Sequence, residues 1–253
     1  AVVKGTFANS PASGTILSNG MDVAIAHTQI NTRGGASTVT ALPVFQPPVG
    51  YGAGAELFLT GVQKSAKVTT TLHLQEMAGT DAAVLLDFFD REGRPVGTTR
   101  PYTVKRYSSI QLADVVPAGT TSLRVRNGSA GALITGYAVL LNADTSDVLT
   151  VVQFPRGTGD LVCPAFPEET AGSRQLHITL ANASAAPIAA TATKTVVEGA
   201  RRRAVSHADG SAGIEPLADS TVTIPPFGSR RLLVNGNGTV RIAGPAGLRA
   251  TPL

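Results

Sequence analysis

The chain has 253 residues, of which 43% are hydrophobic and 15% are charged, so it is no disordered tail and can bury the core of one large or two ordinary all-β domains. Its net charge is +4 and its basic residues are scattered except for Arg201, Arg202 and Arg203; because there is no Trp and few aromatic residues to stack on bases, we do not expect nucleic acid as a partner. No apolar run approaches the roughly 18 residues of a membrane span, so we expect no membrane insertion.

Residues 1–48 resemble the closing hairpin of a repeat whose better copy comes later. The stretch SGTILSNGMDV starts at Ser13, and GALITGYAV starts at Gly131. Four positions match, namely Gly14 with Gly131, Ile16 with Leu133, Gly20 with Gly136, and Val23 with Val139. We interpret residues 1–48 as strands that complete a sandwich.

Residues 49–155 predict a first β-sandwich domain. Short apolar or alternating segments follow one another, bounded by Gly, Pro, Asn and Asp: AELFLTGV (55–62), KVTTTLHLQEM (67–77), AAVLLDFFD (82–90) and SLRVRN (122–127). No stretch of ten residues has the 3.6-residue period of a helix. Asp90 and Gly93 predict a tight hairpin, since Gly readily takes positive φ.

Residues 156–253 predict a second sandwich, because they repeat the first. LHITLANASAAPIAATAT from Leu176 aligns without gaps with LHLQEMAGTDAAVLLDFF from Leu72, at an offset of 104. GNGTVRIAGPAGLRA resembles GTTSLRVRNGSAGALI at an offset of 117, and FGSRRLLVN resembles YSSIQLADV. The added residues fall in 197–220, which we expect to form a long exposed loop.

The predicted fold class is therefore all-β, with two tandem antiparallel sandwiches of the immunoglobulin-like or jelly-roll-like kind. The expected core residues are Leu72, Leu74, Val84, Leu86, Leu123, Val125, Leu176, Ile178 and Ile242.

The pattern TTTLHLQEMAGTDAAVLLDFFDREGRPV, followed by SLRVR and GALITGYAVL, resembles the immunoglobulin-like repeats that occur in tandem in large secreted bacterial surface proteins. Neither the disulfide nor the core Trp of antibody domains is present. Such repeats act as spacers, stalks or adhesive modules and carry no catalytic motif, so the resemblance implies a class of role and no site. A start at Ala1 without Met also suits a secreted protein after signal-peptide cleavage, and we expect an extracellular or cell-surface location.

No residue pattern predicts catalysis, a cofactor or a metal. The chain lacks the G-x-S-x-G motif, and its four His residues are far apart in sequence. His73 and His177 lie between apolar neighbours and are expected on the face opposite the core. Cys163 is the only cysteine of the chain, so no intrachain disulfide can form. We expect Cys163 to be buried or between domains.

Two clusters of charge have two interpretations each. Asp87, Asp90 and Glu92 could converge on calcium, although a hairpin needs Asp for its own geometry. Arg201, Arg202 and Arg203 could contact an acidic polysaccharide or a neighbouring surface protein, although such a run is more often simply solvated.

Two functions from different classes follow. The first is a non-enzymatic structural protein that assembles with itself into a fibre or surface layer by strand exchange or edge pairing, with Ile16, Val23 and Ile25 filling a neighbour's open core. In the alternative, residues 1–48 add strands to the first domain of their own chain. The second function is a carbohydrate- or protein-binding adhesion module, which the shortage of aromatic residues disfavours.

Overall fold

The structure, a computed structural model, describes residues 27–33, 36–42, 50–144, 148–152, 161–165, 175–198, 201–204, 214–215, 220–235 and 238–252. Every regular element in these ranges is a β-strand, which confirms the all-β prediction. Within the same ranges there is no helix that could cross a membrane.

The first sandwich encloses one apolar core between two four-stranded sheets, of order β10-β9-β4-β7 and β3-β8-β5-β6. Its strands are β3 (Glu56–Thr60), β4 (Val68–Glu76), β5 (Ala82–Phe89), β6 (Arg100–Val104), β7 (Ser109–Ala113), β8 (Ser122–Asn127), β9 (Ile134–Asn142) and β10 (Val148–Val152). All of their pairings are antiparallel.

Alternation of side chains builds this core. In β4, Leu72 and Leu74 are buried while His73 between them faces the other way, because successive residues of a strand point to opposite faces. In β5, Val84 and Leu86 point inward in the same manner. The six core residues predicted for this sandwich are all buried, namely Leu72, Leu74, Val84, Leu86, Leu123 and Val125.

The second sandwich repeats this plan around a separate core. One sheet has the order β15-β17-β12-β19; the other has the order β11-β18-β13-β14, and its strand β13 also pairs with β16. The strands are β11 (Leu161–Ala165), β12 (Gln175–Asn182), β13 (Ile188–Glu198), β14 (Arg201–Ala204), β15 (Ile214–Glu215), β16 (Ser220–Ile224), β17 (Ser229–Asn235), β18 (Gly238–Ala243) and β19 (Leu248–Pro252). Among the strand pairs of the described residues, only the short β15–β17 pair is parallel. Ile178 and Ile242 are buried as predicted, whereas Leu176 is described by its backbone alone.

The pairing of strands corrects the register of the repeat. Leu72 pairs with Leu112 in the first sandwich, and the corresponding pair in the second is Ile178 with Leu232. Ile178 is 106 residues after Leu72, so the true offset here is 106 and the predicted offset of 104 is wrong. A slip of two residues keeps every side chain on its face, so apolar alternation cannot detect it.

The N-terminal region contributes a hairpin, β1 (His27–Arg33) with β2 (Ala36–Leu42), whose strands pair only with each other among the described residues. β2 lies beside β10, at the edge of the first sandwich. Ile16, Val23 and Ile25, which are predicted to fill a neighbour's core, lie outside the described residues.

Part of the segment predicted as a loop, 197–220, is strand. β13 continues to Glu198, and β14, which contains Arg201, Arg202 and Arg203, pairs with it. The β-branched residues Thr195, Val196 and Val197 favour this extension. The three arginines are therefore part of a hairpin in backbone terms, and their side chains lie outside the described part of the chain.

Candidate functional site

The structure shows a contact between the two sandwiches that the sequence did not predict, and we call this contact the joint. It is made by two turns, the hairpin at residues 90–94 of the first sandwich and the turn at residues 225–229 of the second. Each turn is shaped by its own residues before it meets the other.

The hairpin at residues 90–94 is held by Asp90. Its Oδ1 accepts hydrogen bonds from the backbone N–H of Glu92 at 2.8 Å and of Arg94 at 2.9 Å. Gly93 has a φ of 78°, which favours glycine, and its N–H donates to the carbonyl of Asp90 at 3.1 Å. The predicted hairpin is thus present, and the Asp90 carboxylate is used to build it.

The turn at residues 225–229 presents Phe227, whose φ of 58° is unusual for an aromatic residue. Asn182, buried beneath it, donates through Nδ2 to the carbonyl oxygens of Ile224 at 3.2 Å and Pro225 at 3.1 Å. The backbone N–H of Asn182 also donates to the carbonyl of Gly228 at 3.0 Å. The end of β12 therefore fixes the turn.

Direct hydrogen bonds join the turn at residues 225–229 to the first sandwich. The Ser229 N–H donates to the Arg91 carbonyl at 2.9 Å, and the Ser122 hydroxyl donates to the Phe227 carbonyl at 3.1 Å. Contact between the backbones is so close that a Cβ on Gly93 would overlap the carbonyl oxygen of Pro226. Only glycine fits at position 93 of this joint, on grounds of both space and φ.

An aromatic stack fills the centre of the joint. The rings of Phe89 and Phe227 lie 4.9 Å apart between centroids at 17°, and Phe58 stacks on Phe89 at 6.4 Å. Ala181 of the second sandwich is buried in the same apolar cluster. Aromatic pairs of this kind contribute about 0.5–1.5 kcal/mol beyond their buried area.

Arg124 covers the stack from the first sandwich. Its guanidinium carbon lies 4.7 Å from the ring centroid of Phe227 and 5.3 Å from that of Phe89, within cation–π distance. Asp87 accepts a hydrogen bond from Arg124 Nε at 3.0 Å and thereby orients the guanidinium.

Asp87 is buried at the centre of a network of charges. Arg126 binds both of its oxygens, with Nε at 2.7 Å and Nη2 at 3.0 Å, and the Thr99 hydroxyl donates at 2.7 Å. Burial by itself would raise the pKa of Asp87, but the bonds from Arg126, Thr99 and Arg124 outweigh it and hold the pKa below its ordinary value.

Glu76 holds in the first sandwich the position that Asn182 holds in the second, at the end of the first sandwich opposite to the joint. The fully buried carboxylate accepts from four backbone N–H groups, at 2.7–3.1 Å; the donors are Ala78, Gly79, Tyr107 and Leu133. Burial would raise the pKa of Glu76, yet these four donors together lower it below the ordinary value.

The calcium interpretation of Asp87, Asp90 and Glu92 does not fit this geometry. Asp87 is paired with arginines and Asp90 shapes the hairpin, while Glu92 faces Arg230 across the joint at 3.3 Å. In the part of the chain that the structure describes, no three His, Cys, Asp or Glu side chains are grouped to hold a metal ion.

His73 lies on the outer face, as the alternation predicts, but it is half-buried. Its ring stacks on Tyr137 of the neighbouring strand, with centroids 4.6 Å apart and planes at 4°. Burial lowers the pKa of His73. Its observed contact is therefore a cross-strand packing contact.

The joint was not predicted from the sequence, although one signal pointed to it. Phe88 and Phe89 are adjacent in a strand, so when Phe88 enters the core, Phe89 must point outward. A large outward aromatic residue beside a hairpin indicates a contact with something outside its own sandwich. Cys163 pairs with Val240 in backbone register, and its side chain, which is predicted to be buried or between domains, lies outside the described part of the chain.

No protein-family model matches the chain, and no curated protein is significantly similar to it.

Proposed function

We propose that the chain is a non-enzymatic structural protein, secreted or held at the cell surface, which serves as a rigid subunit of an extracellular fibre or surface assembly. The observation that carries this proposal is the joint. Two sandwiches connected only by a flexible linker need no shared aromatic stack. A spacer that keeps its two domains in a fixed relative orientation needs a packed interface of this kind.

The chemistry of the joint supports rigidity. It combines an apolar centre of Phe58, Phe89 and Phe227 with backbone hydrogen bonds at its rim, and it has no room for a side chain at Gly93. Domain interfaces without such packing permit relative motion by default.

The adhesion alternative has less support. Carbohydrate sites use aromatic side chains as platforms for sugar rings, and among the residues whose side chains the structure describes, Tyr107 is the only large hydrophobic one that is strongly exposed. One aromatic side chain is a small platform for a polysaccharide.

Negative-stain microscopy with sedimentation velocity tests the proposal. We expect elongated particles that associate into oligomers or filaments as concentration rises. Particles that remain monomeric at every concentration would contradict the assembly.

The means of assembly proposed from the sequence is strand exchange through residues 1–48. The position of β2 beside β10 favours the alternative, in which this region adds to its own sandwich. Deleting residues 1–30 separates the two: strand exchange predicts lost assembly with the first sandwich still folded, and the alternative predicts a less stable first sandwich.

A further inference from the structure

The strand β7 is an edge of the first sandwich that no further strand of the described residues covers. It pairs with β4 on one side and ends the order β10-β9-β4-β7. Its sequence, SIQLA, contains no charged residue and no proline, and Gln111 and Ala113 are exposed. Natural sheets usually protect such an edge with a charge, a proline or a covering segment, because its unpaired backbone groups can bind another strand.

The other three edges of the first sandwich each have a neighbour or a protecting residue. β10 lies beside β2, and β3 lies beside β12 and β19 of the second sandwich. β6 carries the exposed Arg100 and also Pro101, which has no N–H to donate to a further strand. Among the described residues, β7 is therefore the edge that lacks such protection.

The equivalent edge of the second sandwich does receive a further strand. β17 corresponds to β7, since Leu232 pairs with Ile178 as Leu112 pairs with Leu72. On the side of β17 away from β12, β15 pairs in parallel with Arg231 and Leu232. This position of the fold can thus accept a strand at its edge.

The outward backbone groups of β7 are complementary to those of a second β7. The Glu76 N–H donates to the Ser108 carbonyl at 3.0 Å, which fixes the residues of this segment that bond to β4. Because every second residue of an antiparallel strand bonds to a given neighbour, the backbone groups that point away from β4 are those of Ser109, Gln111 and Ala113. In an antiparallel pair centred on Gln111, each of these N–H groups meets a carbonyl of the other copy.

The side chains of β7 suit the same pairing. Ile110 and Leu112 are half-buried against the first core, and the antiparallel pair places Ile110 of one copy opposite Leu112 of the other, so both bury more apolar surface. The ends of the strand carry opposite charges. Arg106 precedes β7, and Asp114, which also pairs with Lys64, follows it; both are exposed. Antiparallel pairing brings Asp114 of one copy toward Arg106 of the other.

We propose that β7 of one copy pairs antiparallel with β7 of a second copy about a two-fold axis at Gln111, which joins their β10-β9-β4-β7 sheets into one continuous sheet. The occupant is a second copy because the edge is complementary to itself in backbone spacing, in apolar side chains and in the charges at its ends. Such a contact closes on itself and gives a dimer, so a larger assembly adds a different contact. This inference rests on the proposed structural function and names one of its interfaces.

Sedimentation velocity of the full chain over a range of concentrations tests the pairing through a charge swap. Gln111 lies opposite itself across the two-fold axis, so Gln111→Lys and Gln111→Glu each place like charges side by side, and each should weaken dimerisation about fivefold. A mixture of the two variants places opposite charges there and should restore dimerisation to the wild-type level. Thr223→Lys adds a charge at an exposed position of the second sandwich and is the control.

The outcomes separate this interface from the proposed function. Association that is unchanged in both Gln111 variants overturns the β7 pairing and leaves the assembly standing. Weakened dimerisation that mixing does not restore overturns the two-fold arrangement. A wild-type chain that stays monomeric at every concentration overturns both the pairing and the assembly. Because Gln111 is exposed and its N–H points away from β4, urea unfolding should show both variants as stable as the wild type, so a lost dimer reports the contact.

Discussion

Glu76 and Asn182 hold the same position in the two sandwiches, each fully buried at the end of the central strand and beneath a turn that carries an aromatic residue. They fix those turns by opposite chemistry. The Glu76 carboxylate accepts from N–H groups, whereas the Asn182 amide also donates to carbonyl oxygens. The repeat therefore keeps the shape of the turn while exchanging the side chain that enforces it.

Replacing Glu76 tests this role. Glu76→Gln puts an amide N–H₂ among backbone N–H donors and leaves some of them without an acceptor, so we expect the free energy of unfolding to fall by about 1–3 kcal/mol. Urea unfolding measures it. Asp114→Asn, in an exposed ion pair with Lys64, is the control and should change stability by less than about 1 kcal/mol. Equal effects of the two variants would refute the role of Glu76.

Acid should destabilise the first sandwich through the same group. The pKa of Glu76 is lower in the folded chain than in the unfolded one, so its stabilisation is present above the unfolded pKa of about 4.3 and is lost as pH falls through the folded pKa. The pKa of Asp87 is also lowered in the folded chain, so this group contributes in the same direction. We expect the difference in Tm between wild type and Glu76→Gln to shrink between pH 7 and pH 3. A difference that stays constant with pH would contradict this account.

Gly93→Ala is expected to disrupt the joint. The new methyl group would collide with the Pro226 carbonyl, in addition to the roughly 1–2 kcal/mol cost of positive φ. Gly119→Ala is the matched control, because Gly119 has a φ of 86° with open space around its Cβ position. Calorimetry should show a larger loss of stability for Gly93→Ala than for Gly119→Ala. Equal losses would show that the joint does not depend on this contact.

Truncations in each core should act on separate sandwiches. Leu74 and Ile178 are fully buried in different apolar clusters, so Leu74→Ala and Ile178→Ala should each cost about 2–5 kcal/mol. Hydrogen exchange of backbone amides locates the loss: each variant should lose protection mainly in its own sandwich. Uniform loss over both sandwiches would mean that they share one folding unit.

The sequence predicted the strands and the cores because alternation of apolar residues reports directly on which face is buried. It could not fix the repeat register at Leu72 and Ile178, since a slip of two residues preserves that alternation. The joint escaped prediction for a related reason. Phe89 and Phe227 are far apart in sequence, and the face that each contacts is set by how two folded units dock.

A distance measurement across the joint tests the central claim, that the two sandwiches form one rigid unit. Spin labels would be attached at Thr69→Cys and Thr223→Cys, both exposed positions, in a chain that carries Cys163→Ser. Pulsed electron paramagnetic resonance is predicted to give one narrow distribution of distances between the two labels, which broadens when Gly93→Ala is added. A broad distribution before that change would contradict a rigid joint and the structural function proposed from it.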